Sequence, residues 1–443
     1  MAPPTRPALD RPIGLLQATA MVVGIIIGAS IFVQPSEINR HVPTIPSVLS
    51  VWVVAGILTL FGSLVCAELS SAFPRTGGVY VFLKETLSPA CGFLWGWAMF
   101  WSAHSGIIAA SSVIFARYVG FFIPLDNIGI KAVAITGILA LSFVNYLGVR
   151  QGSRLQTVVT ISKLVAIVLL LAMVLVFGVP AQRQPPAADA VPVSFREFVL
   201  AISAALFTFG GWHMVTYTAG ETRDPRKTIP KALVIGSLTV TACYVALNAA
   251  YLYLLPLEQV TSSTRVAADA ARAMAGPRGA AGISALVILS AVGVLNGVIL
   301  AGPRTYFAMA DEGLAFGWLA HIHPRFHTPD RTILIQALWS CVLVATGTYR
   351  ALFTRVVYTE WLFFALMGIG LFRLRRRAGY SPAYRVWGYP VVPVLFIGAS
   401  IVVATIQIAA DPGQAATGLL FVVLGLPVYY LWVRTAHADH RLS

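Results

Sequence analysis

The sequence predicts an all-α protein threaded twelve times through a membrane, with two of its helices interrupted in mid-span. Three observations carry this. Hydrophobic residues make up 58% of the 443 and charged residues only 11%, with a mean hydropathy of +0.79, a balance foreign to soluble domains. Many apolar runs approach or exceed the roughly 18 residues that cross about 30 Å of hydrocarbon. Glycines also cluster inside two such runs, in Gly24-Ile-Ile-Ile-Gly28-Ala29-Ser30 and Phe207-Thr-Phe-Gly-Gly-Trp212. Lipid offers no partner to an exposed backbone group, and Gly costs about 1 kcal/mol relative to Ala inside a helix. Glycine clusters at mid-span therefore mean close helix packing, or an unwound segment whose freed N–H and C=O groups hold a polar solute.

The spans follow in order. The first, near 13–34, holds the first break, and the second, 46–73, starts after Pro43-Thr-Ile-Pro46. The third, 91–122, stops at Phe122-Ile-Pro124; the fourth, 130–148, ends before Arg150. The fifth, 156–178, carries Lys163 and leads into the polar, Pro/Ala-rich Gln182–Pro192, an expected external loop. The sixth, 195–220, holds the second break and ends at Arg223-Asp-Pro-Arg-Lys227; the seventh is 230–255. The eighth, 281–310, carries Asn296, and the ninth, 333–348, follows Arg325 and Arg331. The tenth, 352–373, runs into the Arg373–Arg377 cluster, the eleventh, 390–410, stops at Asp411-Pro-Gly413, and the twelfth is 415–434. The chain thus divides into a tail (1–12), two comparable halves (13–180 and 195–373), a further pair of helices (385–434) and a second tail (435–443).

The formal charge of +14 does not point to nucleic acid, because the basic residues are scattered through loops without a basic patch or stacking surface. They fit loops facing an anionic leaflet. With the N-terminus in the cytoplasm, roughly twenty Lys/Arg fall on the inner side and about ten outside, the positive-inside bias. Both termini are then cytoplasmic in a plasma or inner membrane. The opening Met1-Ala-Pro-Pro-Thr-Arg-Pro is too short and polar for a cleaved signal peptide. Cys66, Cys91, Cys243 and Cys341 lie singly, with neither metal nor disulfide spacing. No external cysteine is placed for a covalent link to an ancillary subunit. Paired catalytic carboxylates, a nucleophile elbow and a phosphate-cradling loop are not found, so neither an enzyme nor a cofactor is expected. No channel filter motif is found either.

Several strings resemble a known family. Ala67-Glu68-Leu-Ser-Ser-Ala-Phe-Pro74-Arg-Thr-Gly-Gly-Val-Tyr80 is similar to the second helix and following loop of amino acid–polyamine–organocation transporters. Glu221-Thr-Arg-Asp-Pro225-Arg-Lys-Thr-Ile-Pro230 resembles the loop after their sixth helix. Pro303-Arg-Thr-Tyr-Phe-Ala-Met-Ala-Asp-Glu-Gly313 and His323-Pro-Arg-Phe-His-Thr-Pro329 resemble the end of the eighth helix and its loop. Tyr384-Arg-Val-Trp-Gly-Tyr-Pro390 resembles the approach to helix eleven. The L-type branch and its bacterial relatives are the most similar. The resemblance implies a LeuT-like fold of five helices plus five inverted ones, with helices 1 and 6 unwound at mid-membrane and two helices added. It also implies amino acid uptake or exchange.

A zwitterion needs donors for its carboxylate and acceptors for its ammonium. N–H groups near Gly28, Ala29 and Ser30, at the positive end of a half-helix, suit the carboxylate. Carbonyls near Ile25, Ile26, Phe207, Thr208 and Gly210 suit the ammonium. The family pattern at the first break is Gly-Ser-Gly, whereas Gly28-Ala29-Ser30 adds a Cβ there and offers the Ser30 hydroxyl in exchange. By the resemblance, Phe207 is an aromatic gate and helix three lines the opposite wall through Ser105. Trp212 is expected to pack between helices, Thr208 to face the side-chain pocket, and His104 to be a structural histidine or a titratable group near it.

Lys163 lies about 14 Å of helix rise beyond Arg154, deep enough to be a functional residue by default rather than a snorkelling one. In sodium-independent members of the family, a helix-five lysine bridges helices one and eight in place of sodium. Proton exchange by this amine and a permanently charged tether are both allowed. Glu68 is expected to brace helix two near Arg75, Arg304 to cluster with Asp311 and Glu312, and Asn296 to bond near Lys163 or to another helix. Glu360 is a candidate to face a cavity and is left without a role. No acidic residue is obvious beside either break, which favours small to medium neutral amino acids. The rival reading is an amino-acid sensor or assembly subunit that keeps the transporter fold without transporting.

Overall fold

A computed structural model describes residues 9–32, 34–180, 193–263 and 265–439, without the side chains of 349–357 and 433–439. The expected Gln182–Pro192 loop lies outside the described residues, as do the ends of both tails. Among the described residues the protein is helical throughout, and nine helices are long and apolar enough to cross a bilayer.

The first expected span is not one helix. It is α1 (Leu15–Ile26), a 3₁₀ turn (Ala29–Phe32) and α2 (Gln34–His41). Then come α3 (Ile45–Ala72), a short α4 (Val79–Thr86), α5 (Pro89–Ala98) and α6 (His104–Val119). A π-turn, Met99–Ala103, joins the last two into one span. Next are α7 (Asn127–Tyr146), α8 (Val149–Phe177) and α9 (Phe195–Thr208), then a 3₁₀ segment (Trp212–Glu221). The chain continues through α10 (Pro225–Leu254), α11 (Leu257–Ser262), α12 (Val266–Asp311), α13 (Asp330–Thr346) and α14 (Tyr349–Arg375). It closes with α15 (Val391–Ala410), α16 (Pro412–Val423) and α17 (Gly425–Asp439).

Local chemistry sets many of these ends. Thr44, Ser88, Asp126, Ser194 and Asp411 each accept a hydrogen bond from an N–H in the first turn of the helix they open. Pro46, Pro89 and Pro412 follow three of them, where a missing N–H costs nothing. A straight helix of 46 residues would run about 69 Å. Instead α12 bends at Gly276, whose φ of 60° breaks it before the membrane-length part.

α1, α12 and the span that begins with α9 are the most buried: α1 packs on α8, α10 and α12, α12 also on α6 and α8, and α9 on α2 and α3. α7, α8, α15 and α16 point apolar side chains outward, among them Phe143, Val168, Leu175, Ile401 and Leu420. Backbone groups are satisfied within the helices while the exterior is greasy, which is the arrangement hydrocarbon demands. This is a multi-pass membrane protein.

One end of the bundle, here called the terminal face, gathers both described chain ends. Ile13 donates to Glu221 O (3.2 Å) and accepts from Arg223 N (2.8 Å). Trp432 on α17 donates to Gly313 O (3.1 Å).

Candidate functional site

Both glycine clusters stop their helices. α1 ends at Ile26, and Ile27 (φ −72°, ψ 85°) leaves the helical region. The Gly28 N–H turns back to Ile26 O at 2.7 Å, so one of the three donors expected here is spent locally. Those of Ala29 and Ser30 open a 3₁₀ turn, where the first N–H groups have no intrahelical acceptor. α9 ends at Thr208, and the Gly210 N–H closes a turn on Phe207 O (3.3 Å). Gly211 then takes φ 94°, a conformation costly for any residue with a Cβ. A Cβ there would also sit 2.5 Å from Ile25 Cγ2. The two breaks press against each other.

A cavity of about 170 Å³ joins them, with Ile25, Ile26, Gly28, Ala29, Ser30, Phe207, Thr208 and Gly210 in its wall. At about 30 Å³ of liquid volume per water, that is room for several waters. Phe207 is 43% exposed. Trp212 reaches the cavity and also packs edge-on against His213 and Phe396. Thr208 reaches it too, its hydroxyl 3.4 Å from Ala204 O.

Ser105 is not in that wall. It is fully buried and donates to Phe100 O (2.7 Å) across the π-turn. The extra residue of that turn rotates α6, so that His104, Ile107, Ala110, Ser111 and Ile114 face the cavity instead. His104 Nδ1 lies 2.9 Å from Tyr306 Oη.

Behind the first break, the fully buried Lys163 Nζ donates to Gly24 O (3.1 Å) on α1 and to Ile27 O (2.6 Å) just past its end, and reaches Ser290 O (3.4 Å) on α12. A Cβ on Gly293 would stand 2.7 Å from that nitrogen, so this glycine makes the ammonium's place. Asn296 does not meet Lys163. It donates to Gly152 O (3.0 Å) and Gln156 Oε1 (2.8 Å) and accepts from Asn145 (2.9 Å), a polar contact tying α12 to α7 and α8.

Two expected ion pairs are rearranged. Arg304 is filled by Glu221, with Nε and Nη2 donating at 2.8 and 2.9 Å in full burial. Glu312 instead pairs with Lys84 (2.9 Å) and Arg75 (3.4 Å) and accepts from Tyr80 (2.5 Å). Glu68 does not reach Arg75, whose other partner is Glu85. Glu68 takes Arg375 (2.8 and 2.5 Å), Tyr380 Oη (3.1 Å) and Val386 N (2.6 Å). Burial first, then the Glu68 carboxylate, holds the Tyr380 phenol above its usual range, so it remains a donor.

Residues 13–431 match the family described as Amino acid permease. The chain belongs to that family. It lies in the amino acid–polyamine–organocation superfamily, on the side of its L-type branch. This permease is 33% identical to the serine/threonine exchanger SteT of Bacillus subtilis, over 95% of this chain and 97% of that protein. It is 30% identical to the mouse Asc-type amino acid transporter 1, over 99% and 84%. It is 28% identical to the human cystine/glutamate transporter, over 96% and 86%. The permease is therefore an amino acid transport protein and not an enzyme.

One residue of the permease's site escaped the sequence reading. Tyr244 on α10 is fully buried, its hydroxyl 2.8 Å from Ile26 O and 3.1 Å from Thr208 O, spanning both breaks. A tyrosine in an apolar span carries no signal of that duty. Glu360 on α14 stands in the cavity wall, so an acidic residue does reach the site, contrary to the expectation above.

Proposed function

We propose that this permease moves small to medium neutral amino acids across the plasma membrane by alternating access, as uptake or exchange, without sodium. One observation carries the reading: the cavity is walled by both helix breaks at once. The N–H groups of Ala29 and Ser30, with the Ser30 hydroxyl, receive the α-carboxylate; carbonyls of the two breaks receive the α-ammonium. Ile107, Ala110, Ile114 and Val294 give the apolar wall for a side chain. Lys163 fills the place of a sodium ion, its three carbonyl contacts holding α1 against α12 in the substrate-binding arrangement.

The reading includes twelve spans. Besides the nine, α1 with its 3₁₀ turn is the first, the 17-residue α13 the ninth and α14 the tenth. Five and five are related by an inverted repeat with helices 1 and 6 unwound at mid-membrane, followed by two more. The terminal face is cytoplasmic, as the basic-loop bias supports.

The test is counterflow in proteoliposomes with each of the twenty amino acids, with and without a sodium or pH gradient. Sodium-independent flux of neutral substrates, lost in Lys163→Ala, is expected. A strict sodium requirement, or full flux in Lys163→Ala, overturns the coupling assignment. Tight binding with no flux in either direction would make the protein a sensor instead.

A further inference from the structure

We infer that the cavity also selects amino acids whose side chain ends in a protonated nitrogen, with Glu360, His213 and His104 as the recognition group for that charge. The inference rests on the permease reading above and names a second substrate class for the same site.

The charge inventory of the wall comes first. Among the described residues that line the cavity, Glu360 is the one carboxylate, and no Lys or Arg joins it. Lys163, the nearest candidate for a counter-charge by its place in the fold, is fully buried behind α1, with carbonyl partners. The carboxylate accepts no hydrogen bond from another described side chain or backbone N–H. His213 Nε2 stands 3.8 Å from its Oε1, too far for a direct bond.

The histidines point the same way. His213 is 1% exposed, lines the cavity, and has no partner for either ring nitrogen. His104 is equally buried and lines the cavity; its Nδ1 is engaged by Tyr306 while Nε2 has no partner. Both imidazoles pack against Tyr217, each ring 5.6 Å from its ring. Buried polar atoms are satisfied in native structures, and the buried His213 and His104 nitrogens lie without partners in the wall that holds the Glu360 carboxylate. One carboxylate and two histidines with unpartnered ring nitrogens in a single cavity wall thus offer acceptors to the N–H groups of a ligand.

An ammonium has three N–H donors and no acceptor. It can give one to Glu360 and one to each imidazole lone pair, with His104 Nδ1–H donating to Tyr306. Aromatic faces complete the surroundings, since Trp212, Trp361 and Phe364 also line the cavity and such faces attract a desolvated cation. The α-carboxylate and α-ammonium of the same substrate are met at the helix breaks, so the third charge is left for this end. A side-chain carboxylate finds repulsion here, and a purely apolar side chain leaves the three acceptors unfilled.

The experiment is competition against uptake of a labelled neutral amino acid in proteoliposomes, using pairs matched in length: lysine against norleucine, and ornithine against norvaline. In the parent protein the cationic member of each pair competes more strongly. Removing a charged acceptor from a buried contact changes affinity by at least about tenfold. The cation-to-neutral inhibition ratio is therefore expected to fall by that much or more in Glu360→Gln and to stay nearer the parent value in Glu360→Asp. If Glu360→Gln is not recovered folded, the parent's own ratio decides. Neutral uptake without cationic competition, or a ratio unmoved by Glu360→Gln, overturns this inference and leaves the permease reading standing. No uptake or counterflow of any amino acid overturns the permease reading itself.

Discussion

Individual carbonyls are where this site is held or lost. Tyr244 has one proton for two carbonyls, Ile26 O and Thr208 O, in full burial. Tyr244→Phe keeps the ring and its edge-on contacts with Trp52 and Phe209 while removing that donor. An unmet buried acceptor costs about 1–3 kcal/mol, so flux at subsaturating substrate should fall roughly tenfold while the detergent-solubilised protein stays monodisperse. Unchanged flux would show that the two breaks need no shared donor. Gly293→Ala tests the other tether, because the new Cβ would stand 2.7 Å from Lys163 Nζ. Its uptake should fall toward that of Lys163→Ala, and combining the two should add little, since neighbours acting through one contact are not additive. Lys163 was legible in the sequence because its depth in an apolar span is hard to square with a snorkelling amine. Tyr244 was not, because burying a phenol in a helix is ordinary until its partners are known.

The elements show why some of the site could be read and some could not. Glycine clusters announced both breaks because a helix interior disfavours them, and the chain does leave the helix at Ile26 and Thr208. The face that α6 offers was misjudged at Ser105, since a π-turn adds a residue that no periodic reading anticipates. The short polar α2 (Gln34–His41), which follows the first break, lies past the span drawn at 13–34, where no apolar pattern marks it. The pairings of Glu68 and Arg304 join segments distant in sequence, beyond any local signal. The two glycines of the second break are also unequal. Gly211 has positive φ and abuts Ile25, whereas a Cβ on Gly210 would meet only Phe207 O at 3.3 Å. Gly211→Ala should lower the melting temperature by several degrees, from about 1–2 kcal/mol of backbone strain with the clash added, and abolish uptake. Gly210→Ala should do less on both measures. Equal effects would mean that the turn is not set by the left-handed residue.

Across the whole molecule, the cavity and the terminal face stand in a fixed relation that predicts how the protein moves. Phe207 at the cavity is 43% exposed, while the terminal face is sealed by the buried Arg304–Glu221 pair and by Ile13 bonded across Glu221 and Arg223. This conformer is therefore closed toward its termini, and a carrier that alternates must break that seal to release substrate there. Removing one partner of a buried ion pair costs about 3–5 kcal/mol, because the other charge is left dry. Opening the face to water would relieve Arg304, so Glu221→Gln should favour the terminal-open state. Moving an equilibrium from 99:1 to 1:99 takes about 5.5 kcal/mol, and a large part of that range lies within reach. Ser111, in the cavity wall, reports the change. With Ser111→Cys in a background lacking the four native cysteines, an impermeant thiol reagent applied from the side opposite the termini should label readily. Adding Glu221→Gln should slow that labelling several-fold and speed labelling from the terminal side. Unaltered rates from both sides, in protein that still binds substrate, would mean that the Arg304–Glu221 pair braces the fold without gating it.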